Sequence, residues 1–182
     1  MRAILEAIRI GILDAEARLV VSNNRSAPAL EAATAAGVPT LHLPTQADPD
    51  AADAALAKAM VEAGVEWIVL SGYLRRLGPR TLAAYRDRIL NIHPGPIPAF
   101  GGEGMYGRRV HEAVVAAGVA ASAITIHLVD EEYDHGAVLA VREVPLEPDE
   151  TAESLEARLT GLEPEVFVET LQRLASGQLA LP

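Results

Sequence analysis

The chain has 182 residues, half of them hydrophobic, which is enough for one compact domain with its own core. A net charge of −10 disfavours nucleic acid as a partner, and the lack of cysteine excludes disulfides, thiolate metal sites and a cysteine nucleophile. Aromatic residues are only 4% and Ala, Leu and Val dominate the apolar part, which favours helices packed on a sheet over an all-β sandwich.

Residues 2–13 place Ile4, Leu5, Ile8 and Ile12 near helical spacing and predict a helix. Residues 18–22 read as a short strand that ends in a turn. A helix over 28–36 follows, with Ser26 as its expected cap and Gly37 as its stop. Residues 40–43 form a strand, 51–63 an Ala-rich helix closed by Gly64, and 66–70 a buried strand. After a loop over 71–77, Pro79 opens a short helix to Tyr85. The next strand, 88–92, runs into a stretch broken by prolines and glycines. A helix over 108–117 comes next, closed by Gly118. Strands over 122–129 and 137–144 are joined by a connection too short for a crossover helix, so they predict an antiparallel hairpin. A long helix over 151–175 closes the chain, capped by Asp149 or Thr151, with Pro164 as a site for a kink. The pattern predicts a single-domain α/β fold. Its sheet is mostly parallel and Rossmann-like, with helices on both faces and an antiparallel C-terminal excursion.

The chemistry gathers at Asn91-Ile92-His93-Pro94. In an open α/β sheet, ligands sit beyond the carboxyl ends of the strands. Asn91 and His93 are two apart, so they share one face of the strand. A donor amide beside a titratable ring suits a site that stabilises an oxyanion and moves a proton. The same four residues read equally well as a polar strand-to-loop turn. Asp134 lies in an acidic loop, Asp130 to Gly136, which is either a solvated charge run or a carboxylate pinned between two strands. His127 reads as a core histidine with both nitrogens satisfied, and His111 and His42 as surface residues. Arg75 and Arg76 follow the strand ending at Leu70, which puts them on the functional edge of the sheet. No His, Asp and Glu spacing matches a metal site, so no metal is expected. No apolar run approaches the roughly 18–20 residues that span a bilayer, and Glu6 and Arg9 interrupt any signal-peptide core. These features predict a cytoplasmic protein with no membrane partner.

Several segments together resemble the phosphoribosylglycinamide formyltransferases, folate-dependent enzymes of purine synthesis. They are Val21-Ser22-Asn23, Leu70-Ser71-Gly72-Tyr73-Leu74-Arg75, Leu90-Asn91-Ile92-His93-Pro94, Gly102-Glu103-Gly104-Met105-Tyr106-Gly107, Val110-His111-Glu112-Ala113, Thr125-Ile126-His127 and Tyr133-Asp134-His135-Gly136. The resemblance covers essentially the whole chain and implies one formyltransferase domain over residues 1–182. It implies transfer of a formyl group from 10-formyltetrahydrofolate, as co-substrate, to the amine of glycinamide ribonucleotide. The matching catalytic positions are Asn91, His93 and Asp134, with His93 held as an imidazolium by Asp134. The matching folate positions are Tyr73, Leu74, Arg75, Leu77, Ile89 and Asp130. Pro94 and Glu163 match positions that hold the nucleotide. The implied partners are small molecules, not nucleic acid, with an oligomer as an open option.

The chain also departs from the family pattern. The family opens with a strand and a phosphate-binding loop ahead of the first helix, whereas this sequence begins inside that helix. The domain is therefore expected to be N-terminally shortened, with neighbouring strand edges left without partners. Gly95-Pro96 and Pro164 replace the family's usual residues on the substrate side. The alternatives are a 10-formyltetrahydrofolate hydrolase, a formyltransferase acting on another amine, or a folate-binding homologue without catalysis.

Overall fold

A computed structural model describes residues 1–179 and 181. The elements in chain order are α1 (Arg2–Arg9), β1 (Val20–Ser22), α2 (Pro28–Ala35), β2 (Thr40–His42), α3 (Pro49–Glu62), β3 (Ile68–Leu70), α4 (Pro79–Ala84), β4 (Ile89–His93), α5 (Arg108–Ala116), β5 (Ala121–Leu128), β6 (Val138–Pro145) and α6 (Ala152–Ala175). Helices and strands alternate as the apolar periodicity predicts, and most differences are at the ends. Helix α1 stops at Arg9, short of the expected 13. Gly11 there takes φ +75°, and the Ile12 and Leu13 amides both turn back onto the Ala7 carbonyl. Leu13 is thereby folded into the core.

One expected cap differs, and one helix starts earlier than expected. Ser26 does not cap α2; its amide and hydroxyl both bond to Asn24 Oδ1, and Ala27 occupies the cap position with no side-chain bond. Helix α3 begins at Pro49, earlier than expected, because the Asp48 side chain accepts from the Ala51 amide at 2.9 Å. Of the two candidate caps for α6, Thr151 is used, in a reciprocal capping box with Ser154. Helix α6 is continuous over 24 residues with Pro164, an exposed residue, inside it.

The strands form two sheets. β1 and β2 pair in parallel, with Val20 opposite Thr40. The second sheet has the order β3-β4-β5-β6. Its β3–β4 pair is parallel, while β4–β5 and the β5–β6 hairpin are antiparallel. This is the α/β architecture expected, with the antiparallel excursion beginning at β5. Helices cover both faces. On one face, Leu90, Ile124 and Ile126 of the sheet pack with Val110 and Val114 of α5 and Leu155 and Leu159 of α6. On the other, Ile68 and Ile89 pack with Leu56 and Met60 of α3, and with Leu77 and Tyr85 flanking α4. Between β1 and β3 lies a cavity of about 980 Å³.

Helix α4 has no capping side chain of its own, because Gly78 is its N-cap. Asp53 of α3 supplies one. It is buried and accepts from the Arg80 amide at 2.8 Å, the Thr81 amide at 3.0 Å and the Thr81 hydroxyl at 2.6 Å. Gly78 is required beside it, since a Cβ there would collide with the Asp53 carboxylate. Asp53→Ala removes the acceptor of the Arg80 and Thr81 amides and leaves the Thr81 hydroxyl only the Asp53 main-chain carbonyl at 3.4 Å. It should destabilise the fold by about 2 kcal/mol, read as a lower urea midpoint at unchanged slope.

Candidate active site

Strand β4 carries Asn91 and His93 on one face, as the period of two requires, and β5 lies antiparallel beside it. The register sets Asn91 opposite His127 and His93 opposite Thr125. Thr125 fixes the start of the following loop by donating to the Gly95 carbonyl at 2.8 Å. The chain then returns so that Phe100 places its carbonyl 2.8 Å from His93 Nε2.

Asp134 arrives from the β5–β6 connection. It takes a left-handed φ of +54°, uncommon for a non-glycine residue, and its Oδ2 accepts from the Gly102 amide at 3.0 Å. The same oxygen lies 3.3 Å from His93 Nδ1. Its other oxygen lies 3.4 Å from His127 Nε2. Gly101 allows this approach: an added Cβ would lie 3.0 Å from the Asp134 Cβ. Gly136 then closes the loop. It is needed because its Cα passes tightly against the Leu128 carbonyl, and not for a positive φ. Gly136→Ala drives a Cβ into that carbonyl and should loosen the hairpin base, lowering both the urea midpoint and the hydrogen-exchange protection of the Leu128 amide, which bonds the Ala137 carbonyl at 2.9 Å.

Three expected residues, Asn91, His93 and Asp134, are thus brought together, and a fourth joins them. His127 is core, as read from the sequence, yet its Nε2 serves this cluster. Its Nδ1–H donates to the Leu128 carbonyl at 2.7 Å, which leaves Nε2 to accept from Asn91 Nδ2 at 3.1 Å. One amide hydrogen of Asn91 is thereby fixed and the other is left free. The signal that could have found it is strand parity: Thr125 and His127 are two apart, like Asn91 and His93 on the neighbouring strand.

His111 is not the surface residue expected. It is 2% exposed on the inner side of α5, and among the described residues its Nδ1 has no partner. His42 is half-buried. Tyr73 and Leu77 line a small cleft of about 80 Å³ with Leu43, Leu70 and Ser71. Burial raises the Tyr73 phenol above its ordinary range. Leu77 and Ile89 are buried core side chains, Leu74 is 68% exposed, and Arg75 is exposed. Arg76, beside them, donates to the Glu131 carbonyl and stacks over Tyr133, tying this loop to the Asp134 loop. Asp130 accepts from the Glu132 amide and pairs with His135 at 2.9 Å. Pro94 follows β4, half-buried. Glu163, half-buried on α6, is raised by burial against the opposing charge of the Met1 amino group.

Burial also pushes the His93 imidazole below its ordinary value; the Asp134 charge and the Phe100 carbonyl pull the other way without cancelling it. Burial therefore works against the imidazolium expected from the Asp134 pairing. Burial raises Asp134, but the His93 ring and the Gly102 amide pull the other way, and the carboxyl stays below its usual range. A neutral His93 offers one N–H to two acceptors, Phe100 O and Asp134 Oδ2. One of these contacts lacks a hydrogen in that form, and the cluster gains a bond when a proton arrives.

The shifts carry a sign for stability. His93 and His111 are both lowered by burial, so as pH falls the unfolded chain takes up protons first, near its ordinary value of about 6.5. Their contribution is full above that value and is lost as pH falls through the folded values. Asp134, also lowered, acts in the same direction at lower pH. The exposed His135–Asp130 pair opposes this, but solvent screening keeps its share small. The urea midpoint should be lower at pH 5.5 than at 7.5, and His111→Gln should remove part of that difference.

The formyl transferase family profile matches residues 1–171. The phosphoribosylglycinamide formyltransferase, chloroplastic, of Vigna unguiculata is 36% identical over 180 residues, covering 98% of this chain and 58% of that protein. This chain therefore spans less than two thirds of that relative. The phosphoribosylglycinamide formyltransferase of Bacillus subtilis is 33% identical over 165 residues, covering 88% of this chain and 81% of its own length. The crystal structure of glycinamide ribonucleotide transformylase 1 from Symbiobacterium toebii superposes with a TM-score of 0.90 at 32% identity, over all of this chain and 84% of that one. By profile, sequence and fold together, the chain belongs to the formyl transferase family.

Proposed function

We propose that this chain transfers a formyl group from 10-formyltetrahydrofolate to the amine of glycinamide ribonucleotide. The observation that carries the reading is the convergence of Asn91, His93 and Asp134 at the carboxyl end of β4; the names of the relatives supply the acceptor and the group transferred, and the family resemblance the folate donor. In this reading the amine attacks the formyl carbon and the carbonyl oxygen becomes an oxyanion. The free N–H of Asn91 donates to that oxygen, held in place by the bond of its other N–H to His127. The amine nitrogen must then lose a proton. Neutral His93 and ionised Asp134 share a proton-accepting pair, and the imidazolium that forms has an acceptor at each nitrogen. The proton passes to the folate nitrogen as the carbon–nitrogen bond to the formyl group breaks, leaving tetrahydrofolate and the formylated amide.

We assign the folate to the side of the cleft lined by Tyr73 and Leu77, and we assign Leu74, Arg75, Ile89 and Asp130 to the same site on the family resemblance alone. The nucleotide is assigned to the side of Pro94 and Glu163. The test is a formyl-transfer assay with both substrates, monitored by the absorbance change of the released folate. Turnover that requires glycinamide ribonucleotide supports the reading. Absence of turnover in a protein that unfolds cooperatively removes it, and folate release without the amine replaces it with hydrolysis.

A further inference from the structure

Asp134 lies on the β5–β6 connection, and its place against His93 depends on what holds that connection down. The ties at its base are main-chain bonds, the Leu128 amide to the Ala137 carbonyl and the Val129 amide to the Ile89 carbonyl, both at 2.9 Å. Two more act within the loop, where Asp130 accepts from the Glu132 amide at 2.8 Å and pairs with His135 at 2.9 Å. These shape the loop without fixing its outer part to another segment. Asp134 itself accepts from the Gly102 amide. Its φ of +54° lies in a region that non-glycine residues seldom adopt, so surrounding contacts must hold it there.

Among the described residues, the polar ties from 131–133 to other segments come from two arginines. Arg86 pairs with the Glu131 carboxylate at 3.9 Å, but both side chains are 72% exposed and water screens the pair. Arg76 makes two contacts. Its guanidinium donates to the Glu131 main-chain carbonyl and lies over the Tyr133 ring, 5.8 Å from the centroid. A bond to the main chain grips the path of the loop and not a mobile side chain. Tyr133 directly precedes Asp134. On the other side, Arg76 directly precedes Leu77, which is buried in the core and lines the small cleft with Tyr73. One guanidinium thus joins the anchored wall of that cleft to the loop that carries the carboxylate.

We propose, on the formyl-transfer reading of the site, that Arg76 is a positioning residue: it clamps residues 131–133 to the loop after β3 and so sets Asp134 against His93. Small displacements of a reacting group are costly, so Arg76→Ala should lower kcat by about 10–100-fold, with KM for glycinamide ribonucleotide nearly unchanged. Turnover is measured beside the titration of the His93 ring by NMR, which needs no activity. The titratable groups acting on that ring are Asp134 and His127, and His111 is near enough to be felt. Arg76→Ala should move the titration to lower pH, because the carboxylate that favours the imidazolium is displaced. Loss of the guanidinium charge alone would move it the other way. The same substitution in an Asp134→Asn background should move it no further, since Arg76 acts through Asp134. Arg76→Lys keeps a donor and a cation over the ring and should restore part of both readouts. Arg86→Ala removes only the screened pair and should match the parent. Where Arg76→Ala folds poorly, Tyr133→Ala at an exposed ring removes half of the clamp and should shift His93 in the same direction. An unmoved His93 titration in these variants, a moved one with full kcat, or a shift that persists in the Asp134→Asn background overturns the proposal. A parent without turnover whose His93 titration still moves as expected removes the formyl-transfer reading and upholds the clamp on Asp134.

Discussion

Asn91→Ala should lower kcat for formyl transfer by about 10²–10³-fold while leaving KM for both substrates nearly unchanged. The figure is the usual cost of deleting one oxyanion donor. The split follows from where the bond is made: the formyl oxygen carries full charge only after attack, so the donor acts on the transition state and not on the bound substrate. The fold should tolerate the change, because the bond lost is to His127, which keeps its bond to the Leu128 carbonyl. Steady-state kinetics on the variant, beside an unchanged urea midpoint, checks this. A variant with full kcat would take Asn91 out of the chemistry. One with normal kcat and raised KM would make it a binding residue.

Asp134→Asn should reduce kcat by about 10²–10⁴-fold, the range for loss of a proton-transfer partner. Asparagine is chosen because it tolerates the left-handed backbone at φ +54° and can still accept from Gly102, so the loop keeps its shape. What changes is the charge 3.3 Å from His93. Without it, burial is opposed only by the Phe100 carbonyl, and His93 should titrate lower still. The measurement that separates this from simple loop damage is the pH profile of kcat. The surviving activity should show its acidic limb moved to lower pH, whereas a displaced loop would lower the whole profile without moving the limb.

Much of this was legible in the chain itself. Asn91 and His93 lie two apart at the end of an apolar run, and parity alone puts them on one face. The short link between β5 and β6 forces a hairpin, which pins the Asp134 loop. His111 and His127 mark the limit of that reading. On helix α5, His111 sits beside Arg109 and Glu112, a local pattern that reads as surface, yet the helix turns it inward against the sheet. His127 reads as core and is core, but its tie to Asn91 depends on the β4–β5 register, which pairs residues 36 positions apart. The caps divide in the same way. Asp48 and Thr151 act within their own helices and are visible locally, while Asp53 caps a helix 27 residues further on.

The sequence by itself determined the order of elements, the face on which Asn91 and His93 stand, and the family, because periodicity, caps and motifs are encoded over a few neighbouring residues. Tertiary structure alone decided three things. It brought Asp134 between two histidines, turned His111 inward on α5, and pushed the His93 imidazole below its ordinary value because burial outweighs a nearby carboxylate. Each of these depends on long-range register and desolvation, which arise only when distant segments pack and exclude water.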